Sequence, residues 1–292
     1  SLYLVAESPR GSLDGRPRAY AYEVPASNAT RILGGVASSS VAEAVAVPAA
    51  WVTAFPRGGT LDLAGFGLRA RDVGRPFPGR TDGGPLEQAV VGDVLQVGAQ
   101  SYLLTADGSA LLLDAFAAAA YQGLAPEGRA PLVGDGALPV DLEVVGPTLL
   151  DDARWPLAPT SEQPTGELCS LLRTGPGEAP SVVLARAVPG STASAEGVAP
   201  GQRLATVEAG SGAFVRSGGW ADEEAPTRVL VDDRGYAYGV AGQAEQENLG
   251  YATVPEQVVP DSWLELFVPG VSLSIDAARC PPTSQQRTGP CG

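Results

Sequence analysis

The sequence predicts an α+β, β-rich fold: a central β-rich core domain flanked by small repeat units, each a hairpin plus a short helix, in an elongated arrangement. Three observations predict it. Glycine and proline number 37 and 26 in 292 residues, which suits short strands joined by many turns and argues against a helical protein. The chain is 44% hydrophobic and 18% charged, enough apolar content to bury a core and too little charge for overall disorder. A set of landmarks near the start recurs in order near the end, and recurrence at fixed spacing marks a repeat architecture.

The first unit, 1–65, carries Ala19-Tyr20-Ala21-Tyr22-Glu23-Val24, and the last, 228–278, carries Gly235-Tyr236-Ala237-Tyr238-Gly239-Val240. A small, polar, helix-compatible stretch follows each, 26–33 and 241–249. Val47-Pro48-Ala49-Ala50-Trp51 then matches Val259-Pro260-Asp261-Ser262-Trp263, with Phe55 and Phe267 each four residues after the Trp and Leu61 and Leu273 each ten after it. Proline suits the first turn of a helix because it has no N–H to leave unpaired. Trp and Phe spaced i, i+4 share one helical face, so Trp51 with Phe55 and Trp263 with Phe267 are expected to pin that turn onto the hairpin. An aromatic platform for a sugar ring is the functional alternative.

The segment 66–89, dense in Gly, Pro and Arg, reads as a linker. A weaker repeat unit follows at 90–123. Its Leu103–Leu111 resembles Val229–Ala237, strand, Asp/Gly turn, strand, the short-range signature of a hairpin. A helix-compatible stretch, 114–121, comes next, without the Pro-x-x-Trp turn. Region 124–227 is expected to be the β-rich core, with strands near 138–145, 182–187, 201–207 and 213–216. The tail, 279–292, holds Cys280 and Cys291 around a Pro- and Gly-bounded loop. A local disulfide fits an oxidising compartment; free thiols in a ragged tail are the alternative. Cys169 stands alone in the core region.

Absent residue types exclude chemistry. There is no His, no Met and no Lys, so all 19 basic residues are Arg. Without His there is no Ser-His-Asp triad or histidine metal site. Without Lys there is no phosphate-loop lysine or Schiff base. Three Cys with no CxxC make no zinc set, and neither cofactor nor metal is expected. Lack of Met reads as a processed chain or an excised segment. The net charge of −14 argues against nucleic acid and anionic membrane surfaces as partners. The longest apolar stretch, 110–125, is interrupted by Asp114 and Gln122 and falls short of the ~20 residues that span a bilayer. No basic signal-peptide region opens the chain, which as given reads as a soluble polypeptide. Asp151-Asp152 and Asp222-Glu223-Glu224 are the candidates for paired-acid hydrolysis, although such clusters are ordinary in a chain this acidic.

With these landmarks laid out, the chain resembles a known family. The features that carry the resemblance are the repeats, the linker, Gly-Asp-Val-Leu-Gln-Val at 92–97, Tyr102-Leu103-Leu104-Thr105-Ala106-Asp107-Gly108, a core region with one Cys, Gly212-Ala213-Phe214-Val215, Leu249-Gly250-Tyr251 and Trp263-Leu264-Glu265-Leu266-Phe267-Val268-Pro269-Gly270. From about residue 2 to residue 278 it is similar to the extracytoplasmic part of EccB, a membrane component of the actinobacterial type VII (ESX) secretion system. The resemblance implies a non-enzymatic structural subunit with a transmembrane anchor upstream, outside this chain, and a core flanked by four repeats similar in fold to cell-wall-binding modules of phage lysins. It implies a place on the outer side of the cell membrane. Implied partners are the other Ecc membrane components, the mycosin protease and further copies of itself, with peptidoglycan as a ligand. The first family repeat and its cysteine are missing here, so Cys169 either pairs with Cys280 or Cys291 or stays free. In the peptidoglycan reading Tyr20, Tyr22, Tyr236 and Tyr238 stack on sugars; in the structural one they cover the helix of their repeat.

Overall fold

The computed structural model describes residues 1–10, 17–81, 83–126, 129–134, 136–146, 150, 152, 154–159, 168–186, 207–220 and 227–279. The chain divides into two compact units, Ser1–Val47 with Phe55–Thr165, and Pro48–Ala54 with Gly166–Gly292. The class is α+β and strand-rich, as expected.

In the first unit β1 (Leu2–Ser8) and β2 (Arg18–Val24) form an antiparallel hairpin. Helix α1 (Ala29–Val36) follows, with Ala29, Ile32, Leu33 and Val36 buried at the spacing of one helical face. The turn α2 (Ala49–Thr53) belongs to the second unit. The chain then returns as β3 (Arg57–Thr60), parallel to β2. The second repeat copies this plan. β4 (Val94–Val97), β5 (Gln100–Leu104) and β6 (Ala110–Leu113) form a meander. Helix α3 (Ala115–Leu124) starts at Asp114, whose carboxylate accepts the amide of Ala117, the usual capping arrangement. β7 (Leu132–Val133) adds to β4 and β8 (Val144–Val145) to β6, both parallel.

The second unit opens with the hairpin of β9 (Leu168–Arg173) and β10 (Ser181–Arg186). A five-stranded sheet follows, ordered β14–β11–β12–β13–β15, from β11 (Ala213–Gly218), β12 (Thr227–Val231), β13 (Tyr236–Val240), β14 (Gln257–Pro260) and β15 (Val268–Pro269). Helix α4 (Gln243–Asn248) follows β13, α5 (Asp261–Leu264) follows β14, and α6 (Ile275–Ala278) closes the described chain. The hairpin β12–β13 and its parallel partner β15 repeat the plan a third time. In all three repeats the second hairpin strand gains a parallel neighbour after a helix, because a parallel pair needs a long crossover.

The two hairpin turns align one residue away from the sequence pairing. Thr105 donates its amide to Ser109 O and Asp232 donates its own to Tyr236 O. Gly108 (φ +92°) and Gly235 (φ +79°) hold the same left-handed position, which glycine takes without strain. Leu104 therefore matches Val231, and Ala110 matches Ala237. Apolar identity at neighbouring strand positions hid the shift; the turn glycine fixes it.

Segment 66–89, expected to be a linker, is packed. Phe66, Leu68, Phe77, Leu86 and Ala89 are each at most 2% exposed. Phe66 joins the core built on α1 and α3, while Phe77, Leu86 and Ala89 cover the opposite face of the second sheet with Tyr102, Leu104 and Ala110. Region 124–227, expected as one core, is divided between the units at Thr165/Gly166. Its first part supplies β7, β8 and Trp155 to the first unit. Of the strand expected at 138–145, β8 forms; of the one expected at 201–207, residues 201–206 lie outside the described residues.

Trp155 is fully buried, edge-on to Phe66 at 4.8 Å and to Phe116 at 6.2 Å. Its carbonyl accepts from Ser8 Oγ (2.8 Å) and from the Arg10 guanidinium (3.0 Å), which also pairs with Asp114 at 2.5 Å. One short segment thus ties hairpin β1–β2 to the start of α3. The helices α1 and α3 cross at glycines. A Cβ at Gly123 would stand 2.7 Å from the Ile32 nitrogen, and one at Gly35 2.9 Å from the Ala119 oxygen. Arg31 donates to the carbonyls of Gln122 and Ala125 and so caps the end of α3.

Candidate functional site

The eight aromatic repeat anchors are placed differently in the two units. In the first, Tyr20 is 6% and Tyr22 0% exposed, and Phe55 is buried. Tyr22 donates its hydroxyl to Arg154 O at 2.5 Å and lies 6.4 Å from the Phe116 ring. Burial pushes both phenols above their ordinary value. The hairpin face that carries these tyrosines is closed by the second repeat and the Trp155 segment.

In the second unit the matching face is open. Tyr236 is 38% exposed and Tyr238 half-buried, their rings 6.2 Å apart and inclined by 30°. The Arg234 guanidinium sits 5.6 Å above the Tyr236 ring. Asp232 organises this edge. Its carboxylate accepts the amides of Arg234 and Tyr236, the Arg234 guanidinium and the Tyr238 hydroxyl. Partial desolvation opposes ionisation of Asp232, but the Tyr236 amide, the Arg234 side chain, the Tyr238 hydroxyl and the Arg234 amide outweigh it and hold the carboxyl down at about 2. Its role is to build the turn, the backbone reason for which Asp is favoured there.

Trp51 and Trp263 are half-buried and both belong to the second unit. Pro48 and Pro260 each occupy the N-cap of a short helical turn. Trp263 Nε1 donates to Ala54 O at 2.9 Å, which joins the Trp turn of the third repeat to the segment bearing that of the first. Beside α5 runs a groove of about 580 Å³, lined by Val229, Ala237, Leu264 and Phe267, with Ser217, Asp261 and Glu265 at its polar edge. A smaller cleft of about 320 Å³ in the first unit is bounded by Tyr121, Pro131 and the Arg129–Asp93 ion pair at 2.6 Å.

The repeats share a device that the sequence did not reveal. Gly58 and Gly270 stand three residues after Phe55 and Phe267. A Cβ at Gly58 would lie 2.1 Å from the Tyr22 ring, and one at Gly270 2.4 Å from the Tyr238 ring. Tyr22 of β2 and Tyr238 of β13 thus each lie against a glycine of the returning segment, Gly58 within β3 and Gly270 just after β15. The recurrence of Gly at that spacing was the available signal.

Cys169 is half-buried, its thiol free among the described residues; Cys280 and Cys291 lie outside them. Asp152 is exposed, whereas Asp151, Asp222, Glu223 and Glu224 lie outside the described residues. Among the described residues there is no group of three His, Cys, Asp or Glu that could hold a metal ion, and no helix long and apolar enough to cross a membrane.

Residues 68–282 match a family model described as type VII secretion system ESX-1, transport TM domain B, the EccB family. No curated protein sequence matches. Among solved structures, the EccB3 dimer from the ESX-3 core complex is 17% identical, with a TM-score of 0.54 over 92% of this chain and 71% of that one, which shows a shared fold. The periplasmic assembly from the ESX-5 inner membrane complex is 18% identical (TM-score 0.47, 94% and 70% covered). An intact ESX-5 inner membrane complex is also 18% identical (0.46, 99% and 61%).

Proposed function

The chain belongs to the EccB family of type VII secretion components, and from that membership we propose that it is a non-enzymatic structural subunit of a type VII secretion membrane complex, an extracytoplasmic scaffold that contacts other secretion components. The observation that carries this reading is the contrast between the repeats. Tyr20 and Tyr22 are sealed inside a pair of repeats, while the equivalent Tyr236 and Tyr238 remain partly exposed on the third. Large aromatic side chains left partly wet on a rigid sheet are what protein interfaces favour. The partners in this reading are the other membrane components, the mycosin protease and further copies of the chain.

The test is purification of the membrane complex through a tag on another component. The reading requires this chain to co-purify with its domain beside the other components outside the membrane; a complex that forms intact without it refutes the reading. The exposed Tyr236–Tyr238 pair also favours a second reading, a peptidoglycan-binding module. Sedimentation of the protein with purified peptidoglycan at low salt tests it. Tyr236→Ala should then reduce the bound fraction, and no sedimentation of the parent chain would dismiss it.

A further inference from the structure

Residues 69–80 hold Arg69, Arg71, Arg75 and Arg80 against one acid, Asp72, a local charge of +3; the fifteen arginines and thirty-two acids elsewhere give −17. A basic segment in so acidic a chain calls for a partner. Its backbone is pegged at both ends. Leu68 and Phe77 are buried at 2% and 1% exposure. Leu68 donates its amide to Leu63 O, Gly74 to Val91 O, Phe77 to Ala89 O, and Val91 to Arg75 O, all between 2.8 and 3.0 Å. Within the segment a turn brings Asp72 N to Arg69 O and Arg75 N to Asp72 O. Arg69, Arg71 and Arg75 are all exposed on this fixed frame. Asp72 draws two of them together, Arg75 at 3.2 Å and Arg71 at 4.0 Å.

We propose that this arginine turn is a docking site for a carboxylate-rich segment of a partner protein. The inference rests on the scaffold reading and names the chemistry of one contact. Guanidinium forks meet carboxylates in bidentate pairs, and Asp72 already shows how a carboxylate gathers two of them. A fixed backbone lowers the ordering cost of binding. An anionic membrane is the weaker fit. Basic membrane-binding surfaces usually add apolar side chains that enter the lipid, whereas the large hydrophobic residues here, Leu68 and Phe77, are buried. The −17 carried by the rest of the chain also repels an extended anionic surface.

The test is titration of the whole chain with poly-L-glutamate, in parallel with phosphatidylglycerol vesicles, at low and at physiological salt. It is independent of whether the chain assembles into a secretion complex, so its failure is distinct from failure of the scaffold reading. Exposed ion pairs are each worth a factor of a few. Replacing Arg69, Arg71 and Arg75 together by Gln should therefore weaken polyglutamate binding about ten-fold, with unchanged thermal unfolding, and flatten its salt dependence. Arg173→Gln with Arg186→Gln, exposed arginines of β9 and β10, should leave binding as it was. Absence of polyglutamate binding, equal loss in both variants, or a triple variant defective toward vesicles alone would overturn the proposal.

Discussion

Replacing Gly58 by Ala probes the contact that closes the first repeat. The added Cβ would stand 2.1 Å from Tyr22 Cε1, 2.5 Å from Cδ1 and 2.8 Å from Cζ, where carbon atoms need about 3.5–4.0 Å. The ring has to retreat, yet it is fully buried and its hydroxyl is fixed on Arg154 O. Overpacking costs about 1–3 kcal/mol, and losing the hydrogen bond to the part-buried Arg154 carbonyl costs about 1 kcal/mol more. The expected loss is therefore about 2–4 kcal/mol, or roughly 4–16 °C in the melting temperature of a unit this size. Gly270→Ala makes the same collision with Tyr238, but that ring is half-buried and can swing outward, so about 1 kcal/mol is expected. The assay uses Trp155, the one tryptophan assigned to the first unit. With Trp51, Trp220 and Trp263 changed to Phe, its fluorescence follows that unit alone. Adding Tyr22→Leu should shrink the cost of Gly58→Ala, since the clash is with the ring. A Gly58→Ala variant melting within 2 °C of its parent (about 1 kcal/mol or less) would refute the reasoning.

Gly123→Ala should destabilise the first unit by at least about 3 kcal/mol in chemical unfolding, because the obstruction is the Ile32 backbone at 2.7–2.8 Å rather than a movable side-chain end. Trp155→Ala should cost about 3–5 kcal/mol in the same experiment, as expected for emptying a fully buried aromatic site. The Asp232 carboxyl falls from 3.8 to about 2 on folding, so its contribution is fully present above the unfolded value and is lost as pH drops from about 4 through 2. Asp232→Asn should flatten the melting temperature of the second unit in that window, measured by calorimetry between pH 2 and pH 6; an unchanged slope would dismiss the assigned turn.

Local signals in the sequence reached the hairpins and the helices. The expected helices at 26–33, 114–121 and 241–249 overlap α1, α3 and α4, because hydrophobic spacing and an Asp cap act within a few residues. The Pro-x-x-Trp turns formed where proline placed them. The parallel strands β3 and β15 left no local signal, since each pairs only through a crossover of about thirty residues and β15 is two residues long. The core role of Trp155 left no mark in the sequence, because nothing local tells a core tryptophan from a surface one. The arginine-rich composition of 66–89 suggested a loose link, yet Phe66, Phe77 and Leu86 sit at positions that a long-range fold buries. At the candidate site the sequence pairs Tyr20 and Tyr22 with Tyr236 and Tyr238 by position, but does not show the split between a covered and an open pair, which depends on what packs against each hairpin.

The second unit is discontinuous, formed from residues 48–54 and 166–292. Its first piece leaves the ribosome more than a hundred residues before its last. During synthesis the turn at Ala49–Thr53 waits, with the Ala54 carbonyl without the Trp263 indole that will later donate to it. Any dissection of the protein at the 165/166 boundary separates the two pieces. A fragment 166–292 is thus an incomplete body rather than a free-standing domain, and it would need residues 48–54 supplied as a peptide to complete that contact.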